Sequence, residues 1–121
     1  MNGFLCLICG DDDYLVEAAA RERIARFLPE ADRTLGLEII DGCRDTGDEA
    51  RKAAEACMES VRTPGFFGAI KVTWLRNATF LTGGGRNAES QAAKEAVERL
   101  ASWLKGGLEE GQVLVITTAR I

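Results

Sequence analysis

Phe4-Leu5-Cys6-Leu7-Ile8-Cys9 is an uninterrupted apolar run, the pattern of a strand covered on both faces, so a buried strand is predicted over 4–9. Gly10 and three aspartates end it. Val16, Ala20, Ile24, Phe27 and Leu28 then recur at helical spacing, with Glu17/Arg21 and Glu22/Arg26 four apart outside that stripe. This predicts an amphipathic helix over 13–28, capped by Asp12 or Asp13. Leu35 to Asp41 reads as a second strand. Thr46-Gly47-Asp48-Glu49 has capping-box spacing and leads into Ala50, Ala53, Ala54, Cys57, Met58 and Val61 on one stripe, a helix over 47–62. Ala69 to Leu75 is rich in strand formers, and Asn77 to Arg86, with Gly83-Gly84-Gly85, carries no period and reads as a loop. Ala93, Ala96, Val97, Leu100 and Leu104 define a third helix over 88–105 that Gly106-Gly107 stops. Val113 to Thr117 closes the series as a fourth strand.

Strands alternating with helices, and strands apolar on both faces, predict an α/β fold: one parallel sheet with helices on both sides, joined by right-handed crossovers. At 121 residues the chain has the length of one domain. It stops directly after the fourth strand, without the helix or loop that normally ends such a sheet, and the expectation is a piece of a longer protein. Ligands of such sheets bind at the carboxyl ends of the strands, which directs attention to residues 10–13, 41–46, 76–87 and 117–121.

Composition narrows the chemistry. With 46% hydrophobic and 28% charged residues the chain is an ordinary globular one, and 15 Lys+Arg against 19 Asp+Glu give a formal charge of −4. No basic field for a nucleic-acid backbone exists, so strong duplex DNA binding is not expected. Histidine is absent, which removes the usual general base, the usual triad partner and the commonest metal ligand. The four cysteines do not replace it. Cys6 and Cys9 are an odd number apart on one strand and point to opposite faces, Cys57 lies on a helix stripe and Cys43 in a turn, so all four are read as reduced, mostly buried thiols. No signal-like or membrane-spanning run occurs, and the cytoplasm is the expected compartment.

The strand ends lack the parts of a nucleotide site. The first loop reads Gly10-Asp11-Asp12-Asp13-Tyr14, where a phosphate cradle has glycines and a lysine, and three carboxylates there repel a triphosphate. The third strand ends Leu75-Arg76-Asn77, with no acid to hold magnesium. A receiver-like domain also carries acids after its first strand, yet needs an acceptor aspartate at a later strand end. Helix capping is the simpler role for Asp12 or Asp13. Gly83-Gly84-Gly85-Arg86 reads either as an anion nest or as a plain linker.

Thr63-Pro64-Gly65-Phe66-Phe67-Gly68 is the most informative segment. Pro and Gly stop the helix, and two adjacent phenylalanines in a turn do not both reach the core easily, so at least one is expected to be exposed. An exposed aromatic on a protruding turn is suited to insertion into a partner's pocket; the alternative is both rings packed as a lid on the core.

Two stretches resemble one family. Leu7-Ile8-Cys9-Gly10-Asp11-Asp12-Asp13-Tyr14-Leu15-Val16-Glu17 looks like the opening of the delta subunit of bacterial DNA polymerase III, the clamp-loader subunit. Thr63-Pro64-Gly65-Phe66-Phe67-Gly68-Ala69-Ile70-Lys71-Val72-Thr73-Trp74-Leu75-Arg76-Asn77-Ala78 is similar to that family's Thr-x-x-Leu/Phe-Phe-Gly, basic residue, hydrophobic strand and Arg-Asn-Ala. Val113 to Ile116 matches its last strand. The resemblance covers nearly the whole chain as the family's N-terminal domain. It implies an AAA+-type three-layer sandwich of the P-loop NTPase class with a degenerate nucleotide site, no ATPase activity, no cofactor and no metal. It implies a domain that binds the sliding clamp and helps open it during DNA replication, with Phe66 and Phe67 entering the clamp's pocket. Contacts with other clamp-loader subunits would run through lid and collar domains absent from residues 1–121. The alternatives are a receiver-like acidic-pocket regulatory domain and, more weakly, an adaptor without a clamp role.

Overall fold

Strands and helices alternate along the chain as β1 (Phe4–Cys9), α1 (Asp13–Phe27), β2 (Leu37–Asp41), α2 (Gly47–Arg62), β3 (Lys71–Arg76), α3 (Gln91–Lys105) and β4 (Gln112–Thr118). The computed structural model describes residues 3–29, 36–43, 47–63, 65, 70–78, 91–109 and 111–118. All strand pairs are parallel and the sheet order is β1-β4-β3-β2. The chain thus leaves β1, passes over two strands to the far edge, and returns one strand at a time. Because the first crossover runs one way and the next two run the other, crossovers of one hand put α1 on one face and α2 with α3 on the opposite face.

The two cores follow that division. Ala20, Ile24 and Leu28 of α1 and its exit pack on Val72 and Trp74 of β3 and Val113 and Val115 of β4. Across the sheet Ala50, Ala53, Ala54, Cys57, Met58 and Val61 of α2, with Leu100 of α3, cover Leu75, Leu114 and Ile116. Alternation along β3 and β4 explains the split, since neighbouring residues on a strand point to opposite faces. The central strands are covered on both sides, and each such Val, Leu or Ile taken out of water contributes about 1.5–3 kcal/mol.

Ala20, Ile24, Phe27 and Leu28 of the first helical stripe, the whole stripe of α2, and Val97, Leu100 and Leu104 of the third pack as the sequence predicts, and both surface pairs of α1 form, Glu17–Arg21 at 3.2 Å and Glu22–Arg26 at 2.9 Å. Gly107 takes a φ of +82°, the left-handed turn that ends α3 and that glycine adopts without strain. Strand bounds differ by a residue or two: β3 runs Lys71–Arg76, its pairing with β4 starting at Lys71 opposite Gln112, while Ala69, the expected first residue, lies outside the described residues. Leu35, Thr46 and residues 88–90 lie outside the described residues.

The first strand needs a correction. Among the described residues β1 is an edge strand, paired with β4 on one side, and Phe4, Leu5 and Leu7 are each about half exposed. An apolar run records what a strand can bury; whether it does so depends on its place in the sheet. The thiols follow suit. All four are free, yet only Cys57 is buried, while Cys6 is half-buried and Cys9 and Cys43 are exposed. No helix among the described residues is long and apolar enough to cross a membrane.

Candidate functional site

The turn Gly10–Asp12 joins β1 to α1, and Asp12 is the N-cap. Its Oδ1 accepts from the backbone N–H of Tyr14 at 2.9 Å and of Leu15 at 3.3 Å. These first-turn amides are the donors that a helix offers to a phosphate. In this chain a carboxylate of the same loop already uses them.

A crevice of about 410 Å³ opens between the first turns of α1 and the carboxyl ends of β2, β3 and β4, lined by Asp13, Val16 and Glu17 of the helix and by Ile39, Asp41, Trp74, Arg76, Asn77, Thr117 and Thr118 of the strands and their exits. It forms because α1 is the one helix described on its face, and a helix about 10 Å wide covers roughly two strands spaced ~4.8 Å apart. Ile39 on β2 is left 45% exposed.

The floor is tightly bonded. Trp74, 1% exposed, donates its indole N–H to Thr117 Oγ1 at 3.0 Å, and the Asn77 backbone N–H donates to the same oxygen at 3.1 Å. Asn77 sits at φ +55°, a left-handed position that asparagine tolerates better than most residues. Beyond it Ala78 N–H donates to Thr117 O at 2.8 Å, and Thr118 Oγ1 donates to Ala78 O at 2.9 Å. Gly42 N–H donates to Arg76 O at 2.7 Å. A Cβ on Gly42 would stand 2.8 Å from Ala78 Cα, so only glycine lets the β2 exit come this close. The Asp41 carboxylate accepts from Cys43 N–H at 3.0 Å, which shapes that exit.

The wall is an electrostatic layer. Arg76 forms an ion pair with Glu17, which also pairs with Arg21, and both guanidiniums lie over the Trp74 ring, 5.4 and 5.5 Å from its centroid. The hydrogen bond from Arg76, with the charges of both arginines, holds the Glu17 carboxyl below its ordinary range. The lining carries three carboxylates against one guanidinium, a charge balance unfavourable to a polyphosphate. No group of three or more His, Cys, Asp or Glu among the described residues is arranged to hold a metal ion.

The sequence windows at the strand ends contain Asp13, Asp41, Arg76, Asn77, Thr117 and Thr118 of this crevice. They miss Glu17, which the helical pattern assigns to a surface pair, Val16, which it assigns to the packing stripe, and Trp74 and Ile39, which fall inside the strands. One signal pointed to Glu17 and Arg76: they fall within the two stretches that carry the family resemblance. Phe66 and Phe67, the residues expected to bind a partner, lie outside the described residues, as do Gly83-Gly84-Gly85 and Arg86. Compared with protein-family models, curated proteins and solved structures, the chain gives no significant match.

Proposed function

We propose that this chain is a non-catalytic clamp-loader domain of the bacterial polymerase III delta type, an AAA+-like module that binds the sliding clamp through Phe66 and Phe67 and helps to open it. The observation that carries the reading is the Glu17–Arg76 ion pair. Glu17 closes the first of the two stretches that resemble the family and Arg76 stands near the end of the second, so residues 59 positions apart in the chain, named for the same resemblance, meet in one layer over Trp74. The Asp12 cap supports the non-catalytic half, since it takes the amides a nucleotide phosphate would need. So do the acidic lining of the crevice and the end of β3 at Arg76-Asn77. A parallel sheet with helices on both faces is the frame such a module requires.

The receiver-like alternative fits less well. Receiver-type sheets have the order 2-1-3-4-5, with the first strand between the second and third, whereas here β1 pairs with β4 and β2 with β3.

Surface plasmon resonance against the cognate clamp tests the reading. The expected result is saturable binding that the Phe66→Ala/Phe67→Ala variant loses by about 2 kcal/mol or more, as a hot-spot truncation does, while thermal stability stays within about 0.5 kcal/mol, as for a surface site. Full clamp binding by the variant, or its unfolding, would refute the wedge. Calorimetric titration with ATP and magnesium is expected to give no saturable heat.

A further inference from the structure

The crevice under the first turns of α1 has a donor at its floor that the protein leaves unanswered. Thr117, 3% exposed, lines that floor. A hydroxyl offers two acceptor sites and one O–H. Both acceptor sites of Thr117 Oγ1 are taken, by the Trp74 indole N–H at 3.0 Å and the Asn77 backbone N–H at 3.1 Å. Its O–H finds no acceptor among the described residues. A buried donor without a partner is costly, so the acceptor comes from whatever fills the crevice.

At the mouth the requirement is reversed. Asp13 and Asp41 are exposed and Glu17 is half-buried, and an ionised carboxylate only accepts. The two ion pairs of Glu17, with Arg21 and Arg76, both fall on Oε1, which leaves Oε2 outside them. Asp13 makes no ion pair or side-chain hydrogen bond among the described residues. The groups that would receive an anion are engaged: Arg76 by Glu17, and the Tyr14 and Leu15 amides by Asp12. Between mouth and floor, Ile39 presents apolar surface, 45% exposed.

We propose that the crevice binds a small organic cation. Its ammonium sits among Asp13, Glu17 and Asp41, its aliphatic stem lies on Ile39, and a neutral oxygen at its far end accepts from Thr117. The volume of about 410 Å³ falls within the roughly 300–1,000 Å³ of small-molecule sites. The ammonium gains charge-assisted hydrogen bonds, the stem takes Ile39 out of water, and the oxygen satisfies the buried O–H. A phosphate or carboxylate end is opposed by the three carboxylates. A bare metal ion would use the mouth alone and leave Thr117 and Ile39 as they are. Nothing in this depends on the clamp-binding reading above.

The probe is 5-aminopentanamide, which carries an ammonium, four methylenes and a carbonyl. Two-dimensional NMR of the chain is expected to show saturable shifts of the Trp74 indole N–H and the Asn77 amide. Pentanamide, which lacks the ammonium, should bind about tenfold more weakly, and pentylammonium, which lacks the carbonyl, about fivefold more weakly, as for a charged and a neutral hydrogen bond. Asp13→Asn and Glu17→Gln should each shrink the advantage over pentanamide, and Thr117→Val should abolish the advantage over pentylammonium. Equal binding of 5-aminopentanamide and pentanamide, tighter binding of inorganic phosphate, or unchanged preferences in all three variants would overturn the proposal. So would the absence of a saturable shift at about 10 mM, above the roughly millimolar Kd of a ligand this small. Should Thr117→Val not fold, the three ligands compared on the wild-type chain still decide.

Discussion

Thr117→Val removes a hydroxyl while keeping a β-branched side chain of similar size in β4. Thr117 is 3% exposed, and its Oγ1 is the shared acceptor for the Trp74 indole N–H and the Asn77 backbone N–H. Valine leaves both donors without that acceptor. A buried donor deprived of its partner costs about 1–3 kcal/mol; the indole lies at the upper part of that range because Trp74 is 1% exposed, and Asn77 at the lower part because it is solvent-exposed at the turn. The added methyl contributes roughly 0.8 kcal/mol in the opposite direction. The net expectation is a loss of about 2–3 kcal/mol, or roughly 6–12 °C in Tm for a domain of this size. Urea unfolding followed by circular dichroism measures the loss. Thr117→Ser keeps the acceptor and should cost only about 1 kcal/mol, the price of a methyl. Coupling to the indole is checked in a Trp74→Phe background, which lacks the indole donor, where Thr117→Val should cost at least 1 kcal/mol less, an interaction term typical of residues in contact. A loss below about 0.5 kcal/mol for Thr117→Val, the range of an ordinary surface substitution, would refute the bonding assigned to the crevice floor.

Asp12→Ala should destabilise the domain by about 1 kcal/mol, the usual value of an N-cap, in thermal unfolding, and Asp12→Asn should restore most of it; equal stability of all three would refute the capping role. Because Glu17 titrates below its ordinary value of 4.5 in the folded chain, its contribution is fully present above that pH and is lost as pH falls through the lowered value. The stability gap between wild type and Glu17→Gln should therefore close in strong acid, and a gap that widens there would contradict the Arg76 pairing. Cys57, its thiol pushed up to about 12 by burial, should resist iodoacetamide at pH 8 while Cys9 and Cys43 react. Native labelling of Cys57 as fast as Cys9, followed by mass spectrometry, would show the α2 face to be open.

Local pattern determined more than the elements. The stripe Ala50, Ala53, Ala54, Cys57, Met58, Val61 faces one way on any helix, so the side of α2 that packs was legible from spacing alone, as were the Glu17–Arg21 and Glu22–Arg26 pairs, four residues apart on one turn. The alternation of strands and helices made a parallel sheet with two covered faces the natural reading, because each crossover needs a helix and each helix needs a face. The cap was likewise a local matter, narrowed by sequence to Asp12 or Asp13, of which the structure uses Asp12. Strand order was not local. Nothing within Phe4–Cys9 distinguishes a central strand from an edge, and only the pairing with β4 in the assembled sheet left Leu5 and Leu7 half exposed. The same holds for the crevice. Trp74, Arg76, Glu17 and Thr117 are ordinary strand and helix residues in the chain, and they become one site because β3 lies between β2 and β4 while α1 crosses the opposite way. Contacts between residues 40 or more positions apart depend on which strands are neighbours, which only the tertiary fold decides.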